Sequence, residues 1–305
     1  MAVLVTGGAG LIGFEAARIL ATRGEVVIAD SRPPEKSLPR NARFALLDVS
    51  VPSEFAALVR EVSPACIYHF AALLTGVAER RHQSAFEVNV VGVHNLYEAA
   101  RLAGVPKVVF ISSTGTYSRD LPEVIDDYSL QRPSTFYGSS KLLAEDLARW
   151  YSDRFALDVR SVRYPMIVVP GDRAPWHWVA PMIEDALAGV HHRCDQAFKG
   201  WSQHLITIGD AARAAIDLSE APAQSIRTRC YTVLGVPKPV FAEELAAILM
   251  DRFPGFSVDF SRGARPEDTR RFDDRYAREE WGWRPQAATV DAVIEDFKLR
   301  TSSSY

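Results

Sequence analysis

The chain has 305 residues, 48% of them hydrophobic, enough for one large α/β domain or a large domain with a smaller one attached. A formal net charge of −3 argues against nucleic acid or an anionic membrane as partner. No apolar run approaches the ~18 residues of a membrane span, and three widely spaced cysteines (Cys66, Cys194, Cys230) form neither a disulfide framework nor a CxxC metal pair, which fits a reducing cytoplasm.

In chain order, "MAVLVTGG" runs directly into a first strand and leaves no room for a signal peptide, so a soluble cytoplasmic protein is expected. "LIGFEAARILATRG" follows with apolar residues at helical spacing, closed by Gly24. "EVVIAD" and "ARFALLDV" read as strands, and "SEFAALVREV" as a helix with Ser53 as N-cap behind Pro52. "ACIYHFAA" is a fourth strand, "AFEVNVVGVHNLYEAARLAG" a long helix ending at Gly104, and "KVVFISST" a fifth strand. "YGSSKLLAEDLARWYSDRF" is a helix and "DVRSVRYPMIVV" a sixth strand. Strands separated by helices require crossovers, hence an α/β fold with a doubly wound parallel sheet of the Rossmann type over residues 1–170. From 171 to 305 helices mix with short strands and Pro-rich turns, which predicts a smaller α+β substrate domain. The stretch near 205–220 is the part of it expected to pack on the main sheet.

"VLVTGGAGLIG" lies between the first strand and the first helix. Its glycines let the backbone turn tightly and approach a pyrophosphate, whose charge then sits at the helix N-terminus. The candidate contacts are Gly7, Gly10, Leu11, Ile12 and Gly13. Asp30 ends the second strand, about where a ribose-binding carboxylate belongs. A carboxylate there accepts hydrogen bonds from the ribose of NAD and repels the 2′-phosphate of NADP, so NAD is the expected cofactor. Arg32 reads as a solvated or adenine-packing residue. Tyr137 stands one helical turn before Lys141 in "STFYGSSKLLAE". A free phenol titrates near ~10 and a free ammonium slightly higher, so such a pair is inert unless its surroundings shift it. Residues four apart share a helix face, and a nearby cation favours the phenolate.

"TGGAGLIG", the acid of "VVIAD", "LLDVS", "HFAA", the Asn of "NVVGVHNLYEAA", "ISSTGTY" and "YGSSK" occur in one order. In that order they resemble the extended short-chain dehydrogenase/reductase family, the NAD-dependent epimerase/dehydratase group. The likeness covers residues 3 to about 168 most fully. It implies Tyr137 as acid/base, Lys141 as the residue that holds the nicotinamide ribose and lowers the tyrosine pKa, and Thr114 as the hydroxyl that binds the reacting oxygen. Bringing Tyr137 from ~10 to ~7 would take about 4 kcal/mol of differential stabilisation. The same resemblance implies Asp48 and Val49 at the adenine, Ala71, Ala72 and Leu73 along the pyrophosphate and ribose, Asn89 shaping the site, and Tyr164 lining the nicotinamide pocket. A substrate would lie against Thr75, Ser113, Thr116 and Arg173. Homodimerisation through the helices around 84–103 and 137–155 is common in the family. His69 reads as a core histidine, and "HHRCD" as no metal site, because adjacent residues seldom reach one ion together.

Three departures bear on the substrate. Met166 stands where nucleotide-sugar enzymes of the family carry Asn, and Gln203 where they carry a diphosphate-gripping Arg, although Arg265 resembles their later phosphate-binding Arg. Gly115-Thr116 replaces the Asp-Glu of dehydratases. "VRSVRYPMIV" and "AREEWGWRP" resemble the family's threonine and sugar-acid dehydrogenases. The expectation is hydride transfer from the secondary alcohol of a small hydroxy acid, sugar, sugar acid or amino acid to NAD. A nucleotide-sugar 4-epimerase is the alternative, followed by a non-catalytic dinucleotide-binding protein.

Overall fold

Apolar side chains on the central strands alternate between two faces, and each face is covered. Val5, Ile28, Tyr68, Val109, Ile111 and Val162 belong to one buried cluster. Their neighbours Leu4, Val27, Ile67, Val108, Phe110 and Val159 belong to another. The period-2 strand geometry therefore feeds two helical layers, which is why these strands read as nearly continuous hydrophobic runs.

The computed structural model describes residues 2–172, 174, 177–264 and 270–302. The first part runs β1 (Val3–Thr6), α1 (Leu11–Leu20), β2 (Val26–Asp30), β3 (Ala42–Leu46), α2 (Pro52–Val62) and β4 (Ile67–His69). Short helices α3 (Thr75–Ala78) and α4 (His82–Phe86) and a π-helical turn, Glu87–Val91, lead into α5 (Gly92–Ala103). Then come β5 (Lys107–Ser113), β6 (Val124–Ile125), α6 (Phe136–Phe155) and β7 (Asp158–Tyr164). The remainder runs β8 (Met166–Val168), α7 (Val179–Ala188), β9 (His191–Cys194), β10 (Ser202–Gln203), β11 (Leu205–Thr207) and α8 (Ile208–Glu220). It ends with β12 (Cys230–Thr232), β13 (Val240–Phe241), α9 (Ala242–Arg252), β14 (Ser257–Phe260), β15 (Arg271–Phe272), α10 (Arg275–Trp281) and α11 (Val290–Ser302).

The main sheet has seven strands in the order β12-β7-β5-β4-β1-β2-β3, every neighbouring pair parallel. The order reverses between β1 and β4, and that switch point opens the crevice in which doubly wound sheets bind ligands. The C-terminal sequence is not confined to a separate lobe. Ala211, Ala214 and Ala215 of α8 and Trp283, just past α10, lie in the first core cluster, and β12 is the edge strand of the main sheet. A third cluster, with Trp178, Met182, Ile183, Leu245, Leu249 and Phe297, joins α7, α9 and α11. The strand β11 bridges the two bodies, because Ile206 faces the first cluster and Leu205 the third.

Two local expectations need correction. The sixth strand does not run unbroken through "DVRSVRYPMIVV": it stops at Tyr164, and β8 pairs with β11 instead of the main sheet. Pro165 has no N–H to extend the ladder, so the break falls there. The N-cap of α2 is Val51, with Pro52 in the first turn, so Ser53 lies inside the helix. A proline suits that first turn, where its missing N–H would have had no partner.

Candidate active site

The turn after β1 is made of backbone packed on backbone. Gly7 has φ +69°, and a Cβ there would lie 2.3 Å from the Ala71 nitrogen; a Cβ on Gly13 would lie 2.4 Å from the Gly7 carbonyl oxygen. Only glycine fits either place. The N-cap of α1 is Gly10, with no side chain capping it and no acid in the first turn. The helix end thus keeps its partial positive charge and its N–H groups for an anion. Half-exposed Leu11 (52%) and partly buried Ile12 begin the helix beside this edge. Asp30, at the end of β2, accepts a hydrogen bond from the Ala9 N–H at 3.0 Å, which fixes its carboxylate against the glycine turn. A glycine turn that leads into a helix N-terminus, with a carboxylate at the end of the next strand, is the arrangement that suits a dinucleotide.

The next turn of the crevice is organised by Asn89. Its Oδ1 accepts from the Leu73 N–H at 2.8 Å, and its Nδ2 donates to the Leu73 carbonyl at 2.9 Å and to the Ser140 hydroxyl oxygen at 3.3 Å. One amide therefore ties Leu73 to helix α6, where Ser140 donates to the Tyr137 carbonyl at 2.7 Å. Asn89 sits in the π-helical turn Glu87–Val91, an irregularity that often marks functional sites. Asp48 is exposed, and its Oδ1 accepts from the Ser50 N–H at 2.9 Å and the Ser50 hydroxyl at 2.6 Å. Val49 is buried against Gly92, and its carbonyl accepts from Asn95.

At the start of α6 the Thr135 hydroxyl accepts from the Gly138 N–H, which caps the helix that presents Tyr137 and Lys141. Gly138 and Gly115 let the two segments touch. A Cβ on Gly138 would meet the Gly115 carbonyl at 2.3 Å, and a Cβ on Gly115 would be 4.0 Å from the Tyr137 ring. Lys141 is 4% exposed, donates to the Ile111 carbonyl at 2.7 Å, and lies 4.8 Å from the Phe110 ring centroid and 5.6 Å from that of Tyr137. The pair is therefore on one face, over the end of β5.

Its protonation differs from the expectation of an acidified tyrosine. Burial pushes the Tyr137 phenol up to about 12, with only a hydrogen bond from Ser113 working the other way. Burial also pushes the Lys141 ammonium down to about 7, with Glu145 opposing. The protein's own groups thus favour a neutral pair, because a low-dielectric site penalises both charges.

Several expected site residues are placed otherwise. The Tyr164 side chain does not line the crevice: it is buried in the first core cluster and its hydroxyl donates to the Ala211 carbonyl at 2.5 Å. The strand parity shared with Val162 turns it inward. Its carbonyl does face the site and accepts from the Thr114 hydroxyl at 3.2 Å. Thr116 is fully buried and donates to the Ser113 carbonyl, so it is no substrate contact. The Ser113 side chain works against the rise of the Tyr137 phenol, and its own hydroxyl oxygen accepts from the Gly115 N–H at 3.0 Å. Thr75 is partly buried at the start of α3. Arg173 and Arg265 lie outside the described residues. Trp178 is a buried anchor of the third cluster. His69 is fully buried with Nδ1 2.7 Å from the Thr6 hydroxyl, a core residue.

Sequence reading missed a set of buried charged side chains beneath the pair: Glu145, Arg163 and Asp127. The signal was present for one of them, since Glu145 continues the four-residue stripe Tyr137–Lys141 along α6. Nothing local links Arg163 or Asp127 to it.

The NAD dependent epimerase/dehydratase family matches residues 3–231. A mitochondrial L-threonine 3-dehydrogenase of Sus scrofa is 30% identical over 296 residues, covering 92% of this chain and 78% of that protein. The holo form of an L-threonine dehydrogenase from Cupriavidus necator superposes with a TM-score of 0.88 at 26% identity, covering 99% of this chain and 100% of the other. A UDP-glucose 4-epimerase from Thermotoga maritima, solved with UDP-glucose, shares the fold at a TM-score of 0.83 and 21% identity, covering 100% and 99%.

Proposed function

The chain belongs to the NAD-dependent epimerase/dehydratase family, and from that premise we propose that it oxidises the secondary alcohol of a small hydroxylated amino acid, L-threonine first among them. It is an NAD-dependent enzyme of the extended short-chain dehydrogenase/reductase type. The observation that carries the reading is the Tyr137–Lys141 pair beside the Ser113 and Thr114 hydroxyls, at the carboxyl end of β5 and next to the Gly7–Gly13 cradle.

In this reading the Tyr137 oxygen takes the proton of the substrate hydroxyl as the hydride leaves the same carbon, giving a ketone. Ser113 and Thr114 hold the reacting oxygen as its charge changes. Lys141 holds the ribose and supplies the positive charge that phenolate needs. Bound NAD supplies the hydride acceptor, and in its oxidised form a further positive charge at the nicotinamide. The preference for NAD over NADP rests on Asp30, fixed by the Ala9 N–H where a 2′-phosphate would be repelled.

The epimerase alternative is weaker. Met166 packs against the third core cluster, and Gln203 lies in the short β10–β13 pair, so neither supplies the expected diphosphate grip. For the assembly we propose a homodimer through α5 and α6. Leu143 and Trp150 are exposed on one α6 face at 43% and 52%, with half-buried Leu147 between them, and Leu102 adds to the apolar surface at 69%. Sedimentation of the purified protein at twice the chain mass would support this, and a monomer at micromolar concentration would remove it. All three cysteines are free and buried, which suits a reducing compartment such as the cytoplasm. No helix among the described residues is long and apolar enough to cross a membrane.

The substrate class is tested with a panel of small hydroxy acids, hydroxy amino acids and UDP-hexoses, read by NADH absorbance. Turnover with a β-hydroxy amino acid is expected. Reaction with UDP-hexoses alone would overturn the reading.

A further inference from the structure

Beneath the Tyr137–Lys141 pair lies a carboxylate whose environment is more elaborate than a structural ion pair needs. Glu145 is 1% exposed and one turn beyond Lys141 on α6. Arg163, on β7 and equally buried, donates to it from Nε at 3.0 Å and from a terminal nitrogen at 2.7 Å. The Ser112 hydroxyl donates to the same Oε1, and Gln131 Nε2 donates to Oε2 at 3.0 Å. Both oxygens are thus fixed by neighbours on β5, β7 and the loop before α6. Lys141, by contrast, has one backbone acceptor and two aromatic rings around it.

We propose that Glu145 is a positioning residue for the reaction: clamped by Arg163, Ser112 and Gln131, its carboxylate favours the ammonium form of Lys141, which the Ile111 carbonyl holds, and so decides whether Tyr137 can release its proton. The inference rests on the dehydrogenase reading of the pair. Tyr137–OH with neutral Lys141 and Tyr137 phenolate with Lys141 ammonium hold the same number of protons, and only the second can accept a proton from substrate. The Glu145 carboxylate, one turn from Lys141 and two turns from Tyr137, favours the second, because its attraction at the nearer site exceeds its repulsion at the farther one, while the Arg163 guanidinium paired with it reduces both.

The other groups around the pair set the background. Burial raises a carboxylate, yet Arg163, Ser112 and Gln131 hold Glu145 below its usual range, so it stays ionised. Asp127 bonds the far side of Arg163 at 3.1 Å, and burial pushes it up to about 7 despite that guanidinium. His69, on β4, is kept neutral by burial and by Lys141 itself. Burial also keeps Tyr97 on α5, Tyr117 before β6 and Cys230 on β12 protonated. Glu145 is therefore the ionised carboxylate on Lys141's own helix face.

The test compares Glu145→Gln and Glu145→Asp in the wild-type and Lys141→Arg backgrounds. The readouts are kcat against pH and the Lys141 titration, followed by NMR of protein labelled with 13Cε-lysine. In Glu145→Gln the kcat plateau falls at least tenfold without recovery at higher pH, and Lys141 titrates at least one pH unit lower. Glu145→Asp shows the same changes at about a third of the size and serves alone if the Gln variant does not fold. In the Lys141→Arg background, where the charge cannot be lost, the penalty shrinks below threefold. Equal penalties in both backgrounds, or an unmoved Lys141 titration in a folded variant, would overturn the proposal. Absence of turnover in the wild type would instead count against the dehydrogenase reading, and the NMR titration would still decide the role of Glu145.

Discussion

The glycine turn after β1 and the C-terminal body around α7, α9 and α11 are held by different kinds of contact. In the turn, main chain meets main chain: Gly7 lies against Ala71, Gly13 against the Gly7 carbonyl, and the Ala9 N–H bonds Asp30. In the C-terminal body, interchangeable apolar side chains fill one cluster, and Trp178, Met182, Leu245 and Phe297 do the work of a core. A site shaped by backbone tolerates few residue types and leaves a pattern. A site shaped by side chains tolerates many combinations of similar volume. In the proposed reading, cofactor recognition belongs to the first kind and substrate choice to the second.

The largest expected effect is at the Tyr137–Lys141 pair. Tyr137→Phe should lower kcat by about a thousandfold while NAD affinity stays within about twofold, since it removes a proton acceptor and little contact area. A variant with more than a few per cent of wild-type kcat in stopped-flow turnover would place the base elsewhere. Next in size, Gly7→Ala forces a Cβ to 2.3 Å from Ala71 N at φ +69°, and NAD affinity should fall by about a hundredfold in fluorescence titration, a loss of ~2.7 kcal/mol. A tenfold smaller effect would mean that the turn relaxes easily and that backbone contact is not decisive. Cofactor choice comes third. NAD should bind at least about tenfold tighter than NADP, ~1.4 kcal/mol, and Asp30→Ser should erase the gap. Equal affinities in the wild type would remove Asp30 from the ribose.

A smaller effect concerns stability. Burial, with a contribution from Lys141, holds the His69 imidazole down to about 3. The unfolded chain takes up that proton near ~6.5, so the folded state loses stability as pH falls from about 6.5 towards about 3. His69→Asn should flatten the dependence of the melting temperature on pH in this window; an unchanged slope would contradict a neutral buried imidazole. The smallest effect belongs to the C-terminal body. Gln203→Arg should leave NAD affinity within about twofold and confer no UDP binding detectable by calorimetry, because one guanidinium does not rebuild a diphosphate site. Micromolar UDP binding by that variant would show that substrate class is set by a single residue.

What could be read in the sequence follows the same division. The crossover topology, the glycine cradle, Asp30 and the Tyr137–Lys141 spacing are local patterns with few alternatives. The inward turn of Tyr164 depended on strand parity in a run that Pro165 cuts, and the burial of Thr116 on a tight turn after β5. The Glu145–Arg163–Asp127 set comes from three separate segments and has no joint local signature. Side-chain direction and long-range ion pairs are properties of packing, and they become visible only once the chain is folded.

The central claim is that hydride leaves with the cofactor, and the direct measurement is the fate of a label. The enzyme is mixed with NAD and L-threonine deuterated at Cβ, and NADH and substrate are followed together by absorbance and mass spectrometry. One deuterated NADH should accumulate for each threonine oxidised. NAD that stays oxidised while a UDP-hexose is interconverted with its C4 epimer, and threonine left untouched, would contradict the account.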